Sequence, residues 1–247
     1  MKPLRVAIAG FTACSGCQLT LLNCEAELPL LLPRFQFCYF PLACSPAELE
    51  GAYDVALIEG CLSTTGEIEF IQELRQRSKL LIALGACAAS GGIPALANCS
   101  EREELWQQVY GTALLPSGGI VPQPLHTAVT VDATIPGCPP EKEELLKLLA
   151  GLLQGVLPVA VDAPVCSECR MAENLCLLME RGELCLGPLT RGGCNARCPS
   201  LGVACEGCRG AVPEANLAEA LQQYQNKGYD RQTVLARLHR FCPEWKS

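Results

Sequence analysis

The sequence predicts an α/β protein: a doubly wound parallel sheet, then a small cysteine-rich domain, then a C-terminal helical pair. Three observations carry this. Apolar, β-rich runs alternate with helical stretches over residues 1–160, the pattern of parallel strands joined by crossover helices. Eight cysteines then crowd into Cys166–Cys208. From Val212 onward apolar residues return at helical spacing.

Taken in order, Leu4 to Ala9 (LRVAIA) reads as a buried strand ended by Gly10, and FTACSGC leads from it into the helical run QLTLLNCEAELPLLL. Further strands are expected at Phe35–Phe40, Val55–Ile58, Leu80–Leu84 and Ala128–Val131, with a helix over Glu67–Lys79. In such sheets the ligand site lies beyond the carboxyl ends of the strands. Three cysteine loops fall there: CSGC at Cys14–Cys17, GACAASGG at Gly85–Gly92, and PGCPP at Pro136–Pro140. Cys14, Cys17, Cys87 and Cys138 are therefore expected on one sheet edge, able to close around one cluster. The glycines among them permit tight turns and let backbone N–H groups approach sulfide. Singly, each cysteine is as readily a small core hydrophobe; three loops at three strand ends favour ligation. The glycines match neither phosphate-binding motif, G-x-G-x-x-G or the P-loop.

The segment Pro164–Gly210 contains no histidine and no aromatic residue, and only scattered Leu, Val and Met. So little bulky apolar surface does not offset the entropy of ordering the chain, so something bound to the sulfurs is expected to hold it. The spacing is C-x2-C at Cys166 and Cys169, then Cys176 and Cys185, C-x3-C at Cys194 and Cys198, and C-x2-C at Cys205 and Cys208. Two groups of four thiolates is the count for two four-iron clusters or two zinc ions.

Composition narrows the class. The 247 residues carry a net charge of -7, which argues against nucleic acid as a partner because that affinity rests on clustered Lys and Arg. MKPLRVAIAG has neither the apolar stretch of a signal peptide nor a twin-arginine motif, and no apolar run reaches membrane-spanning length. A soluble cytoplasmic protein without membrane insertion is expected. There, 18 cysteines point to metal rather than disulfides.

The combination CSGCQ, IEGC, GACAASGGIP, GCPP and CLGPLTRGGC resembles the small subunit of nickel-iron hydrogenases, over nearly the whole chain. The resemblance implies a flavodoxin-like first domain (1–160) with a proximal 4Fe-4S cluster on Cys14, Cys17, Cys87 and Cys138. It implies a second domain (161–210) with a distal cluster on Cys166, Cys169, Cys176 and Cys185, a medial one on Cys194, Cys198, Cys205 and Cys208, and a helical tail (211–247). Exported relatives carry a histidine where Cys166 stands and a proline where Cys198 stands. The all-cysteine pattern resembles instead the cytoplasmic branch with three 4Fe-4S clusters, that of the methyl-viologen-reducing, F420-reducing and NAD(P)-linked sulfhydrogenases. The implied activity is oxidoreductase, acting on hydrogen as donor, with this subunit not catalytic alone. Its implied partners are a large subunit holding the nickel-iron site and a further electron-accepting subunit, a flavin or iron-sulfur protein. The alternatives are an electron-transfer subunit of a complex I-like or other hydrogenase-related assembly, whose usual tandem cysteine pair is absent, and a zinc-stabilised scaffold.

Glu59 of IEGC ends a strand on the cluster edge. It is a candidate proton relay, set against the favoured reading of a solvated or simply hydrogen-bonding strand-end residue. Cys24, Cys38, Cys44, Cys61, Cys99 and Cys242 have no ligand-like spacing and are expected mostly as buried thiols, with Cys61 nearest the cluster edge. His126 and His239 stand isolated in the sequence.

Overall fold

Among the described residues seven strands form, in chain order β1 (Leu4–Gly10), β2 (Phe35–Tyr39), β3 (Tyr53–Glu59), β4 (Leu62–Thr64), β5 (Ser78–Leu84), β6 (Gly119–Gln123) and β7 (Ala133–Ile135). The computed structural model describes residues 2–44, 49, 51–112 and 117–243. Its chain divides into two units, Met1–Pro158 and Val159–Ser247. In the first, five strands pair in parallel in the order β2-β1-β3-β5-β7, while β4 and β6 make a separate antiparallel ribbon. Counting the sheet's strands alone, this is the flavodoxin-like order, with the first strand inside the second.

The central strands are apolar on both faces because both are covered. Val6, Ile8 and Leu57 pack with Leu145 and Leu148 of the helix Lys142–Leu153. Ala7, Ala56 and Ile58 face the other way, onto Ile71 and Leu74 of the helix Thr65–Arg77. That helix starts two residues before the expected Glu67 because a capping box fixes its entry: Thr64 Oγ1 accepts the Glu67 N–H at 3.1 Å and the Glu67 carboxylate accepts the Thr64 N–H at 3.0 Å. It ends at Arg77 because Ser78 already pairs with Tyr53 in the sheet.

Two expectations change. The strand expected at Ala128–Val131 lies instead at Ala133–Ile135. Ala128 and Val129 donate back to the Leu125 carbonyl and close a turn, and the last ladder is reached only past Asp132, whose N–H donates to Leu81 O while its carboxylate accepts the Leu81 N–H. The single helical run after Cys17 is two helices, Gly16–Leu22 and Leu28–Leu31, the second opened by a proline in its first turn.

In the second unit the segment expected to lack a core acquires one. Leu177, Leu184, Leu186 and Leu189 pack with Leu221 and Tyr224 of the helix Leu217–Asn226 and with Val234 and Leu238 of the helix Arg231–His239. The C-terminal helical pair therefore supplies the apolar surface that the cysteine run lacks, and both fall in one unit. Among the described residues, no helix is long and apolar enough to cross a membrane.

Thr64→Ala is expected to cost about 1 kcal/mol. Glu67→Ala should cost more, because it also removes the acceptor for Ser63 N–H and for the Thr12 hydroxyl. Urea unfolding of both variants checks the order; equal losses would contradict it.

Candidate metal centres

The register of the parallel sheet builds the first site. Gly10 pairs with Glu59, Glu59 with Leu84, and Leu84 with Ile135, so four strands end level. Their loops carry Cys14 and Cys17, Cys61, Cys87 and Cys138. The structure brings the four expected ligands together: Cys17 feels the charges of Cys87 and Cys138, and both of these feel Cys14. Ala86 N–H donates to Gly137 O at 2.8 Å, tying the Cys87 helix to the Cys138 loop. Gly85 adopts φ +82, and a Cβ there would overlap the Cys17 sulfur; glycine is required on both counts.

Burial, then Glu59, then the neighbouring thiols push Cys17 far above the usual thiol range. Burial, reinforced by Cys138, pushes Cys87 up to about 11, and burial likewise raises Cys138. Thiolates at Cys17, Cys87 and Cys138 need a cation to offset both desolvation and mutual repulsion.

Glu59 is not a solvated strand end. It is 1% exposed, and its carboxylate accepts Cys17 N–H at 3.0 Å, Gln18 N–H at 3.2 Å and the Gln18 side-chain amide at 3.0 Å. These bonds anchor the turn that carries Cys17. Cys61 is fully buried, exchanges backbone hydrogen bonds with Thr12, and lies near enough to Cys87 to feel its charge; burial pushes it up to about 12. Of the other unassigned cysteines only Cys24 is buried; Cys38 and Cys242 are half-buried and Cys44 and Cys99 exposed. The expectation of mostly buried thiols is thus corrected: Cys38 lies on the edge strand β2, Cys99 ends the short helix Pro94–Cys99, and Cys44 and Cys242 lie outside helices and strands.

In the second unit, Cys166 and Cys169 on the helix Val165–Met171 line one cavity with Cys176 and Cys185. Its walls are apolar, including Leu177, Leu178 and Pro199, and it encloses about 350 Å³ with its open mouth. A Cβ on Gly187 would stand 3.3 Å from the Cys166 sulfur and 3.5 Å from the Cys185 sulfur, so glycine keeps this cradle open. Burial, then Cys185, Cys169 and Cys176, push Cys166 up to about 11. The Cys185 sulfur accepts Cys205 N–H at 3.3 Å. Its loop is clamped from the helical pair: Tyr224 donates to Cys185 O at 2.8 Å, Tyr229 donates to Gly182 O and accepts Leu184 N–H, and Arg237 donates to Leu184 O. Nothing in the spacing of these residues pointed to the clamp.

Of the remaining four, Cys205 feels both Cys185 and Cys208 and is pushed far above the thiol range by burial. Cys194 is raised by burial and by Glu168, against the backbone N–H groups of Arg197 and Ala196 and the charge of Arg209. Cys198 sits on the short helix Arg197–Ser200, whose following turn returns to its carbonyl through Leu201 and Val203 N–H. Among the described residues there is no group of three or more His, Cys, Asp or Glu side chains that could hold a single metal ion; where four thiols are seen to converge in this unit, they surround a cavity. A thiol-only donor set, apolar walls, glycine-cleared approaches and N–H donors to sulfur fit iron-sulfur clusters.

Residues 14–152 match the family described as NADH ubiquinone oxidoreductase, 20 Kd subunit. The chain is 40% identical to the sulfhydrogenase 2 subunit delta of Pyrococcus furiosus, over 87% of this chain and 89% of that one. It is 34% identical to a vhu subunit of the F420-non-reducing hydrogenase of Methanocaldococcus jannaschii, over 96% and 94%. Among solved structures, a chain of an NAD+-reducing NiFe-hydrogenase superposes with a TM-score of 0.56 at 32% identity, over 64% of this chain and 95% of that one. A chain of the NiFeSe-hydrogenase of Dm. baculatum shares the fold, with a TM-score of 0.56 at 19% identity over 89% and 98%. The chain therefore belongs to the NADH ubiquinone oxidoreductase 20 Kd subunit family. Within that family it is a hydrogenase iron-sulfur subunit, related to the nickel-iron hydrogenase small subunit.

Gly85→Ala is expected to displace the Cys17 sulfur and lower the iron content per chain while the far-ultraviolet spectrum stays native. Iron and sulfide assays on anaerobically purified protein check this; wild-type iron in the variant would refute it.

Proposed function

We propose that this chain is the electron-transfer subunit of a cytoplasmic nickel-iron hydrogenase. Its ligands would hold three 4Fe-4S clusters, which when bound supply one-electron transfer between the nickel-iron site of a separate large subunit and a further electron-accepting subunit, a flavin or iron-sulfur protein. Cys14, Cys17, Cys87 and Cys138 would hold the proximal cluster. Cys166, Cys169, Cys176 and Cys185 would hold the distal one, and Cys194, Cys198, Cys205 and Cys208 the medial one. The observation that carries the reading is the convergence of the first four thiols on one sheet edge. It stands in a chain whose relatives over 87% and 96% of its length are hydrogenase subunits. The family match by itself also suits a complex I-like assembly, but it ends at residue 152, and eight further cysteines in Cys166–Cys208 lie beyond it.

The chain's own work is to bind, orient and shield. The level strand ends fix the first four sulfurs relative to one another. Glu59 acts here as an anchor for the Cys17 turn rather than as a proton relay. Leu177, Leu178 and Pro199 give the cavity that Cys166 and Cys185 line its apolar walls, and Cys205 N–H offers a hydrogen bond to the Cys185 sulfur. Such burial and N–H donation are the protein's means of setting a reduction potential.

Anaerobically purified complex is expected to carry at least about twelve iron and about twelve sulfide per copy of this chain, beyond the iron that accompanies nickel in a co-purifying large subunit. Zinc in place of iron, or a partner without nickel, would overturn the reading. Cys198→Pro should convert one site towards a three-iron form, visible by paramagnetic resonance; an unchanged spectrum would remove Cys198 from the ligand set.

A further inference from the structure

Between Cys166 and Cys169 stands Glu168, and its carboxylate leaves the cavity those two cysteines line to reach another loop. Oε1 accepts the Gly193 N–H, and Oε2 accepts the Ala196 N–H at 3.1 Å and lies 3.9 Å from the Cys194 sulfur. The approach is close enough that a Cβ on Gly192 would stand 3.2 Å from the carboxyl carbon.

The loop so held is closed on itself by a backbone bond from Arg197 N–H to Cys194 O at 3.2 Å, across two strained residues. Asn195 and Ala196 both adopt left-handed backbone, at φ 53 and φ 50, which is strained for a residue other than glycine and persists only where the surroundings over-determine it. Glu168 binds the N–H of Gly193, two residues before Asn195, and the N–H of Ala196 itself. From elsewhere in the unit, Arg209, 5% exposed, donates through Nε to Gly192 O at 2.8 Å, and Gly192 N–H donates to Ala163 O at 2.8 Å. Cys194 is thus fixed by a side chain from the helix that carries two cysteines of the other set.

We infer that Glu168 is a positioning residue that holds the Cys194 loop in its ligating conformation, and that its charge lowers the reduction potential of the cluster bound there. The inference rests on the reading that Cys194, Cys198, Cys205 and Cys208 form one ligand set. The first part follows from the hydrogen bonds. The second follows from electrostatics, since adding an electron beside a fixed negative charge is disfavoured, and at short range in a partly buried site that repulsion is weakly screened.

The test uses the anaerobically purified complex. Cys194→Ala identifies the resonance signal and the iron belonging to this set; if it changes neither, the ligand assignment fails and the inference about Glu168 falls with it. With that signal identified, Glu168→Ala is expected to lose about four iron per copy of this chain, with the signals of the other clusters retained. Glu168→Gln keeps the size and one acceptor, so it should retain the iron but shift the reduction equilibrium of the same signal roughly tenfold towards the reduced form, about 59 mV for one electron. Glu168→Asp, which restores the charge, should return the midpoint towards wild type. A full iron complement in Glu168→Ala overturns the positioning role, and an unshifted midpoint in Glu168→Gln overturns the electrostatic one.

Discussion

Burial raises the Cys87 and Cys166 thiols, and in each case the neighbouring thiols raise them further. The same two causes act on Cys17, with Glu59 added. A pocket of this kind is comfortable with neutral thiols and hostile to bare thiolates. Only a strongly positive partner reverses the balance, by replacing lost hydration and cancelling the repulsion at once. Binding and folding are coupled in consequence: the geometry that gathers the sulfurs is costly to charge until the metal arrives. Most features of the two units are ways of meeting that constraint.

The units meet it differently. In the first, rigidity comes from the sheet: β1, β3, β5 and β7 end level, and each loop leaves from a fixed point. Loops this short have few conformations to lose, and a small residue at Gly85 suffices to let sulfur and backbone approach. In the second unit no strand of the sheet is available, and the cysteine run has short helices and turns. Order comes from outside the run, from a core shared with Leu221, Tyr224, Val234 and Leu238 and from the Tyr224, Tyr229 and Arg237 hydrogen bonds onto residues 182–185. Tyr224 is fully buried, so its hydroxyl must find an acceptor, and the one it finds is the carbonyl of a candidate ligand.

The parts legible in the sequence were those with a short-range signal. Apolar runs placed β1, β3 and β5 to within two residues at either end, and cysteine loops after strands placed Cys14, Cys17, Cys87 and Cys138 on one edge because parallel topology leaves no other place for them. The strand at Ala133–Ile135 was misplaced because Val129 and Val131 are as apolar as strand residues, and they do pack against the core, but from a turn closed by the Leu125 carbonyl. What the sequence hid were tertiary partners. Glu168 looks like a solvent-facing residue within C-x2-C, and the Gly193 and Ala196 N–H groups it binds lie 25 and 28 residues away. The helical pair looked like a tail because its apolar stripe says that it packs, not on what.

Both units place a carboxylate among the sulfurs, and taken alone this works against them, since Glu59 raises Cys17 and Glu168 raises Cys194. The resolution lies in what each carboxylate accepts. Backbone N–H groups crowd these loops because the chain turns tightly there, and buried donors left unpaired cost about 1–3 kcal/mol each. A sulfur is a weak acceptor and faces only some of them; a carboxylate oxygen takes the rest and fixes the turn. The Ala196 N–H stands between the two acceptors, for it donates to Glu168 Oε2 and also holds the Cys194 thiol down against burial. Strengthening one bond weakens the other. The same donor thus sets how firmly the loop is held and how much electron density the sulfur keeps, so loop order and sulfur electronics are not independent variables at this position.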